Sequence, residues 1–355
     1  MTALPPSAGD PGGRPVDRLL LVTYSPRLPA GVLSWPAWQA LRSGPVYAAD
    51  AGVPQAQAVQ AAGIEVHRLP SGAGAAGLSE MDDQAAARAF RELARGGATV
   101  VWLAGPGGDG GFARALGDLV ARERVGAAEV EVVYGSWDPP GARLLDVVAV
   151  MDRLRSPGGC PWDAEQTHAS LAPYLLEEAY EMLDAIEDGD LRLLREELGD
   201  VLLQVAFHAR LAEELPEPER WSVDDVAADL VDKLVRRHPH VFGDRTVAGA
   251  AEVEANWDVI KATEKGRSSL TEGVPLGQPA LSLAAKLQRR VAKAGLRVDP
   301  PTGHGVGQRL FALVAESQAA GVDPEAALRA VARGYLDAVR AAEAARGADP
   351  GDGDG

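Results

Sequence analysis

The chain has 355 residues, 46% of them hydrophobic, which is enough for two or three domains with a substantial core and too apolar for a disordered chain. Its 51 acidic against 35 basic residues give a net charge of −16, which argues against nucleic acid as a partner. A phosphorylated small molecule is not excluded, because a metal held by carboxylates can bring one to an acidic surface.

Residues 1–17 are rich in Pro and Gly and read as a loose tail. They hold no basic region followed by an apolar core, so no export leader is expected. No apolar run reaches the roughly 18 residues of a transmembrane helix, so no membrane partner is expected either. The single cysteine, Cys160, rules out an internal disulfide and reads as structural, and a cytoplasmic location is the expectation. From Leu19 onward come five short apolar or β-branched runs of strand length: 19–24, 45–49, 64–69, 99–105 and 130–135. Helix-like segments at 79–95 and 111–124 lie between them. Strands alternating with helices predict an α/β domain with a mostly parallel sheet over 18–140. The loop Gly105-Pro106-Gly107-Gly108-Asp109-Gly110-Gly111 follows a strand and precedes a helix, where a nucleotide loop would sit in such a fold. It fits neither the P-loop pattern nor a dinucleotide fingerprint and reads as a tight turn.

After Pro139-Pro140-Gly141 the pattern turns helical. Helices are expected over 142–154, 170–187, 190–214, 223–237, 249–264, 279–294, 306–319 and 323–345. This makes the chain multidomain: an α/β part, an all-α helical bundle over 141–295, further helices over 296–345, and a flexible acidic tail over 346–355.

The chemistry concentrates in LLEEAYEMLDAIEDGDLRLLREELGDVLLQ, residues 175–204. Two helices joined by a turn at Asp188-Gly189-Asp190 become antiparallel neighbours. The first carries Glu177, Glu178 and Glu181; the second carries Glu196, Glu197 and Asp200. Spacings of three and four residues put side chains on one helix face. On a wheel of about 100° per residue, Leu175, Ala179, Met182 and Ile186 form the expected apolar stripe of the first helix. Leu194, Leu198, Val201 and Val205 form that of the second. Glu178 and Glu197 then fall about 60–70° from the stripe centres, at the edge of the packed face. Asp200 lies further round the same side of the second helix; on the first, Glu181 lies about 120° from the stripe centre and Glu177 nearly opposite it. Carboxylates facing one another repel unless a cation sits between them. A surface acidic hairpin has the same spacing, so spacing alone leaves both readings open. The Glu-x-x-His pairs of a diiron bundle are missing, and oxygen-only ligands favour Mg²⁺ or Mn²⁺ over zinc or iron.

Glu177-Glu178-x-x-Glu181 followed by Glu197-x-x-Asp200 resembles the EExxE…ExxD signature of the all-α nucleoside triphosphate pyrophosphohydrolases, the MazG family. The resemblance extends over MDRLRSPGGCPWDAEQTHASLAPYLLEEAYEMLDAI, REELGDVLLQVAFHARLAEE, DKLVRRHPHVFGD and VEANWDVIKATEK, roughly residues 143–295. It implies a helical bundle that forms homodimers, Mg²⁺ (with Mn²⁺ as a substitute) on Glu178, Glu181, Glu197 and Asp200, and Glu177 as either a supporting ligand or a group just behind the ligands. The same four carboxylates are the implied catalytic residues. The implied reaction is hydrolysis of a ribo- or deoxyribonucleoside triphosphate to the monophosphate and pyrophosphate, clearing the nucleotide pool. Lys233, Arg236 and Arg237, at helical spacing, are implied phosphate contacts. Trp257 and Lys261, four residues apart, suit a base and a phosphate. His238 and His240 read as structural near a turn at Pro239, and Trp162 as packing. Alternatives are a narrow dUTP or dCTP pyrophosphatase, or an inactive nucleotide-binding regulator, against which the complete carboxylate set argues.

Two further resemblances are partial. LLLVTYSPRLPAGVLSWPAWQALRSGPVYAAD is weakly similar to the tetrapyrrole methylase domain fused to the catalytic module in some relatives. Ser25-Pro26-Arg27-Leu28-Pro29 stands where that family has its Gly-rich loop for S-adenosylmethionine, so a degenerate domain is expected. Residues 279–345 resemble the flanking helices of a second catalytic module whose acidic motifs are missing.

Overall fold

The computed structural model describes residues 16–69, 82–123, 128–250, 252–253, 256–257 and 269–347. Two compact units meet inside one helix, the first ending at Ala228 and the second beginning at Asp229.

The first unit opens with five strands: β1 (Asp17–Thr23), β2 (Val46–Ala48), β3 (Val66–Arg68), β4 (Thr99–Leu103) and β5 (Ala128–Tyr134). All pair in parallel, in the order β3-β2-β4-β1-β5. The Leu19–Val22 run of β1 is buried on both faces, which is why it reads as a continuous apolar stretch and not an alternating one. One face packs Leu20, Val22, Val101 and Leu103 against α1 (Trp35–Leu41) and α2 (Pro54–Ala61). The other packs Leu19, Leu21, Val100 and Trp102 against α3 (Asp83–Leu93) and α4 (Gly110–Ala121), with Phe90, Trp102 and Phe112 in mutual ring contact. The strands lie where the sequence predicts them. The two short helices α1 and α2 were not expected, although Ser34 caps α1 and proline opens both in the first turn.

A buried ion cluster fastens this layer. Arg91 of α3 donates to Asp17 at 2.7 Å and grips Glu123 through both Nε and Nη2 at 2.8–3.1 Å. The Arg91 and Asp17 side chains are only 6% and 10% exposed. Burial alone would raise the Asp17 carboxyl, but the Gly97 amide and the Arg91 guanidinium outweigh it and hold it below its ordinary range.

The α/β layer is bound to the helices that follow by Arg27, whose guanidinium pairs with both Asp138, just after β5, and Asp146 of α5 (Arg143–Arg155). Ser25 also donates to Asp138. Then come α6 (Pro161–Glu165), α7 (His168–Asp188), α8 (Leu191–Ala212) and α9 (Val223–Arg237), the last containing the unit boundary. Met151 of α5, Leu171 of α7 and Phe207 and Leu211 of α8 form one small core. Before α6 the chain passes so close to the end of α5 that a Cβ on Gly159 would lie 2.1 Å from the Leu154 carbonyl oxygen.

The second unit contains α10 (Pro239–Phe242), α11 (Ala280–Lys293), α12 (Val306–Ala319) and α13 (Pro324–Gly347). Gln288 of α11 donates to the Phe311 carbonyl of α12 at 2.8 Å and accepts from Gln318 at 2.7 Å. The helix expected over 249–264 lies largely outside the described residues.

Removing Arg91 strands two carboxylates, one of them buried. Arg91→Ala is expected to destabilise the first unit by about 3–5 kcal/mol in urea unfolding, and a change within about 0.5 kcal/mol would contradict the cluster's role. The Asp17 share of that stability is fully present above the ordinary carboxylate value of 3.8 and is lost as pH falls through the depressed value.

Candidate metal centre

Helix α7 begins with a capping box in which Thr167 accepts from the Ser170 amide and the Ser170 hydroxyl accepts from Thr167. It ends at Gly189, whose φ of +71° is the left-handed closing residue of a helix. Asp190 then caps α8 by accepting from the Arg192 and Leu193 amides. The turn is therefore built from Gly189 and Asp190, and it sends α8 back along α7.

The seam between these helices differs from the expected stripes. On α8 it runs through the buried Glu197, Gln204 and Leu211, and on α7 through Leu171, the half-buried Glu178 and Ala185, seven residues apart in each case. Leu175, Ile186, Leu198 and Val205, placed on the packed face by the wheel, are exposed. The wheel takes large apolar side chains as the mark of the packed face. Here carboxylates, a carboxamide and Ala185 line the seam beyond Leu171 and Leu211, while Leu175, Ile186, Leu198 and Val205 turn outward.

One carboxylate oxygen from each of Glu178, Glu197 and Asp200 lies within 4.8 Å of the other two. Glu197 is only 8% exposed. Burial, and then the surrounding Asp200, Glu181, Glu197 and Glu177, raise the Glu178 carboxyl above its ordinary value. Burial likewise raises Glu197, followed by Glu181, Asp200 and Glu196 and by a side-chain hydrogen bond with Glu181. The charged neighbours that act most on these two groups are thus all carboxylates among the described residues. Two ionised carboxylates only accept hydrogen bonds, so the Glu181–Glu197 contact needs a proton or a cation between them. Glu177 and Glu181 are exposed, at the margin of the cluster. Glu196 is exposed and pairs with Arg192 at 3.4 Å.

This donor set fits a hard divalent cation: several oxygens, no nitrogen or sulfur, one member buried and none neutralised by a protein cation among the described residues.

Lys233, Arg236 and Arg237, in the last turns of α9, belong to the second unit, as does Trp257. Trp257 meets His238 edge-on at 5.1 Å, and His238 also contacts His240 and the Leu234 carbonyl. Lys261 lies outside the described residues. Trp162, half exposed, packs edge-on against Tyr174 of α7 and Phe207 of α8. Two features of the seam escaped sequence reading. Gln204 sits buried one turn beyond Asp200. The His168 and His208 rings stack 4° from parallel with their Nδ1 atoms 2.7 Å apart. The signal for Gln204 is a polar residue four positions after Asp200; nothing local pairs histidines 40 residues apart.

Burial, and then the positive charge His168 can carry, lower His208 from its ordinary 6.5. The unfolded chain therefore takes up this proton more readily than the folded one, and the linked stability is full above 6.5 and lost as pH falls below it. Between roughly pH 7.5 and pH 5.5, thermal unfolding should show wild type losing more stability than His208→Gln. Equal losses would remove His208 from the account.

Residues 166–242, which contain Glu177, Glu178, Glu181, Glu196, Glu197 and Asp200, match the model of the MazG nucleotide pyrophosphohydrolase domain. The chain is 56% identical over 238 residues to an uncharacterized 26.1 kDa protein in the blaB 3′ region of Streptomyces cacaoi, covering 66% of this chain and 97% of that protein. It is 44% identical over 229 residues to a Mycolicibacterium smegmatis protein named nucleoside triphosphate pyrophosphohydrolase, covering 64% of this chain and 67% of that one. Against a Thermotoga maritima protein named nucleoside triphosphate pyrophosphohydrolase/pyrophosphatase MazG the identity is 39% over 222 residues, covering 56% and 84%. With its acidic hairpin inside the matched domain and relatives aligned over most of their length, the chain belongs to the MazG nucleotide pyrophosphohydrolase family.

Proposed function

We propose that this chain hydrolyses nucleoside triphosphates, ribo- and deoxyribo- alike, to the monophosphate and pyrophosphate, in a nucleotide-pool clearing role in the cytoplasm. The observation that carries the reading is the convergence of Glu178, Glu197 and Asp200 within the matched domain, where among the described residues the charges acting most on Glu178 and Glu197 are other carboxylates. Glu178, Glu181, Glu197 and Asp200 would hold Mg²⁺, or Mn²⁺ in its place, with Glu177 supporting. When bound, the cation supplies charge neutralisation for the triphosphate and a lowered pKa for a coordinated water. The residues themselves do the rest. Glu197, fixed in the seam, and Asp200, one turn on, would hold the cation that draws the phosphates to this site. Any proton that Glu178 or Glu197 holds through its raised carboxyl pKa would have to leave for a cation to bind there. A carboxylate of the cluster accepts the proton of the attacking water as the bond between the α-phosphate and the bridging oxygen breaks.

Lys233, Arg236, Arg237, Trp257 and Lys261 are proposed to contact the substrate, the cations at phosphate and Trp257 at the base. A second copy of the chain is the proposed partner. Leu176, Tyr180, Ile186, Leu198 and Val205 are exposed on α7 and α8, and apolar side chains in such number on one hairpin suit a homodimer interface.

The test is product analysis after incubation with each ribo- and deoxyribonucleoside triphosphate and Mg²⁺. Monophosphate plus pyrophosphate is the expected result. Diphosphate plus orthophosphate would overturn the cleavage position, and no turnover would point to a nucleotide-binding regulator. Glu197→Ala and Asp200→Ala should each lower kcat by more than about 100-fold, the rate equivalent of a few kcal/mol, with the helical circular dichroism unchanged. Wild-type rates in either variant would sink the assignment of these residues.

A further inference from the structure

Gln204 carries a buried polar group that the fold leaves without a partner. Its side chain is on a residue only 4% exposed, and its Oε1 accepts no hydrogen bond within the protein. Buried polar groups are nearly always satisfied in native folds, so an unsatisfied one calls for a specific reason. Its position supplies one. Gln204 follows Glu197 by seven residues and Asp200 by four, on the same face of α8, about 6 Å further along the helix axis than Asp200.

The seam continues from the carboxylates in two directions. Toward the turn it meets the small, buried Ala185 and then Gly189. In the other direction it meets Gln204 on α8, with Phe207 one turn on and Tyr174 one turn before Glu178 on α7. In this second direction a molecule whose phosphates are drawn to the carboxylates meets the unsatisfied carboxamide oxygen of Gln204 and the partly exposed ring of Tyr174.

We propose that Gln204 is a substrate-binding residue whose carboxamide oxygen accepts a hydrogen bond from the nucleoside part of the substrate, an O–H of the sugar or an N–H of the base. This rests on the nucleotide reading of the neighbouring carboxylates and adds to it the residue that orients the nucleoside. The chemistry is that of a neutral acceptor, so it favours ligands with a donor at that point and adds nothing for the phosphates.

The test compares wild type with Gln204→Met, which keeps the side-chain length and removes the polar atoms. Replacing an unsatisfied buried carboxamide with an apolar group should leave the thermal midpoint of the ligand-free protein equal or higher. KM for nucleoside triphosphates should rise about 3- to 10-fold, the worth of one neutral hydrogen bond, with a smaller change in kcat. Inhibition by inorganic tripolyphosphate, which has no nucleoside, should be equal in the two proteins. Comparing ribo-, 2′-deoxy- and 2′,3′-dideoxynucleotides locates the donor if it is on the sugar: the variant's penalty disappears with the missing hydroxyl. A penalty that persists through that series and disappears with an N-methylated base locates it on the base. A lowered midpoint with unchanged KM, or an equal loss for tripolyphosphate, would overturn the proposal. Turnover by wild type is scored separately, so failure of the proposed activity is distinguishable from failure of Gln204's role.

Discussion

Carboxylates from two antiparallel helices share one seam, and among the described residues the charges that act most on Glu178 and Glu197 are other carboxylates. Left to themselves they push α7 and α8 apart, so the remainder of the hairpin has to hold them together. It does so at both ends. The Gly189–Asp190 turn fixes one end, and the core of Met151, Leu171, Phe207 and Leu211 fixes the other. Arg155 reinforces the second end: it lies over Phe207 at 5.9 Å, donates to the Asp163 carbonyl of α6 and grips Glu214 at 2.8 and 2.9 Å. Arg210 adds bonds to Asp152 and Glu214. The apolar and ionic contacts sit away from the acidic centre, which leaves its oxygens free for a ligand. A local conflict, like charges packed together inside an otherwise consistent fold, is what a functional site is expected to show.

The α/β layer depends on a different use of charge. Arg91 neutralises Asp17 and Glu123 within the protein, so that cluster is complete as it stands. Arg27 does the same for Asp138 and Asp146 at the junction with α5. Each of these carboxylates has its cation built in, whereas among the described residues the leading charged neighbours of Glu178 and Glu197 are other carboxylates. That contrast separates structural ion clusters from the candidate centre more sharply than the number of acidic residues does.

Much of this was legible in the residues. The strand runs were readable because β1 and β4 are buried on both faces and carry unbroken apolar stretches. The α7–α8 turn was readable because Asp-Gly-Asp supplies both a left-handed closing residue and a cap. The seam was misplaced because large apolar side chains were taken to mark it, whereas Leu198 and Ile186 face outward and Glu197 and Gln204 face in. Gln204 carried no motif of its own, and the Arg91–Asp17 pair joins residues 74 apart, a distance no local pattern spans. Helices α1 and α2 went unread because seven or eight residues give too few turns for a period to show.

The central claim is that the repulsion in the seam is there to be relieved by a divalent cation. The direct measurement is the unfolding midpoint of wild type and Glu197→Gln, each with chelator and with Mg²⁺. The account predicts that in chelator the variant is at least as stable as wild type, because one repelling charge is gone. It predicts that Mg²⁺ stabilises wild type strongly and the variant much less. A wild type indifferent to Mg²⁺, together with a variant that is less stable than wild type in chelator, would contradict it.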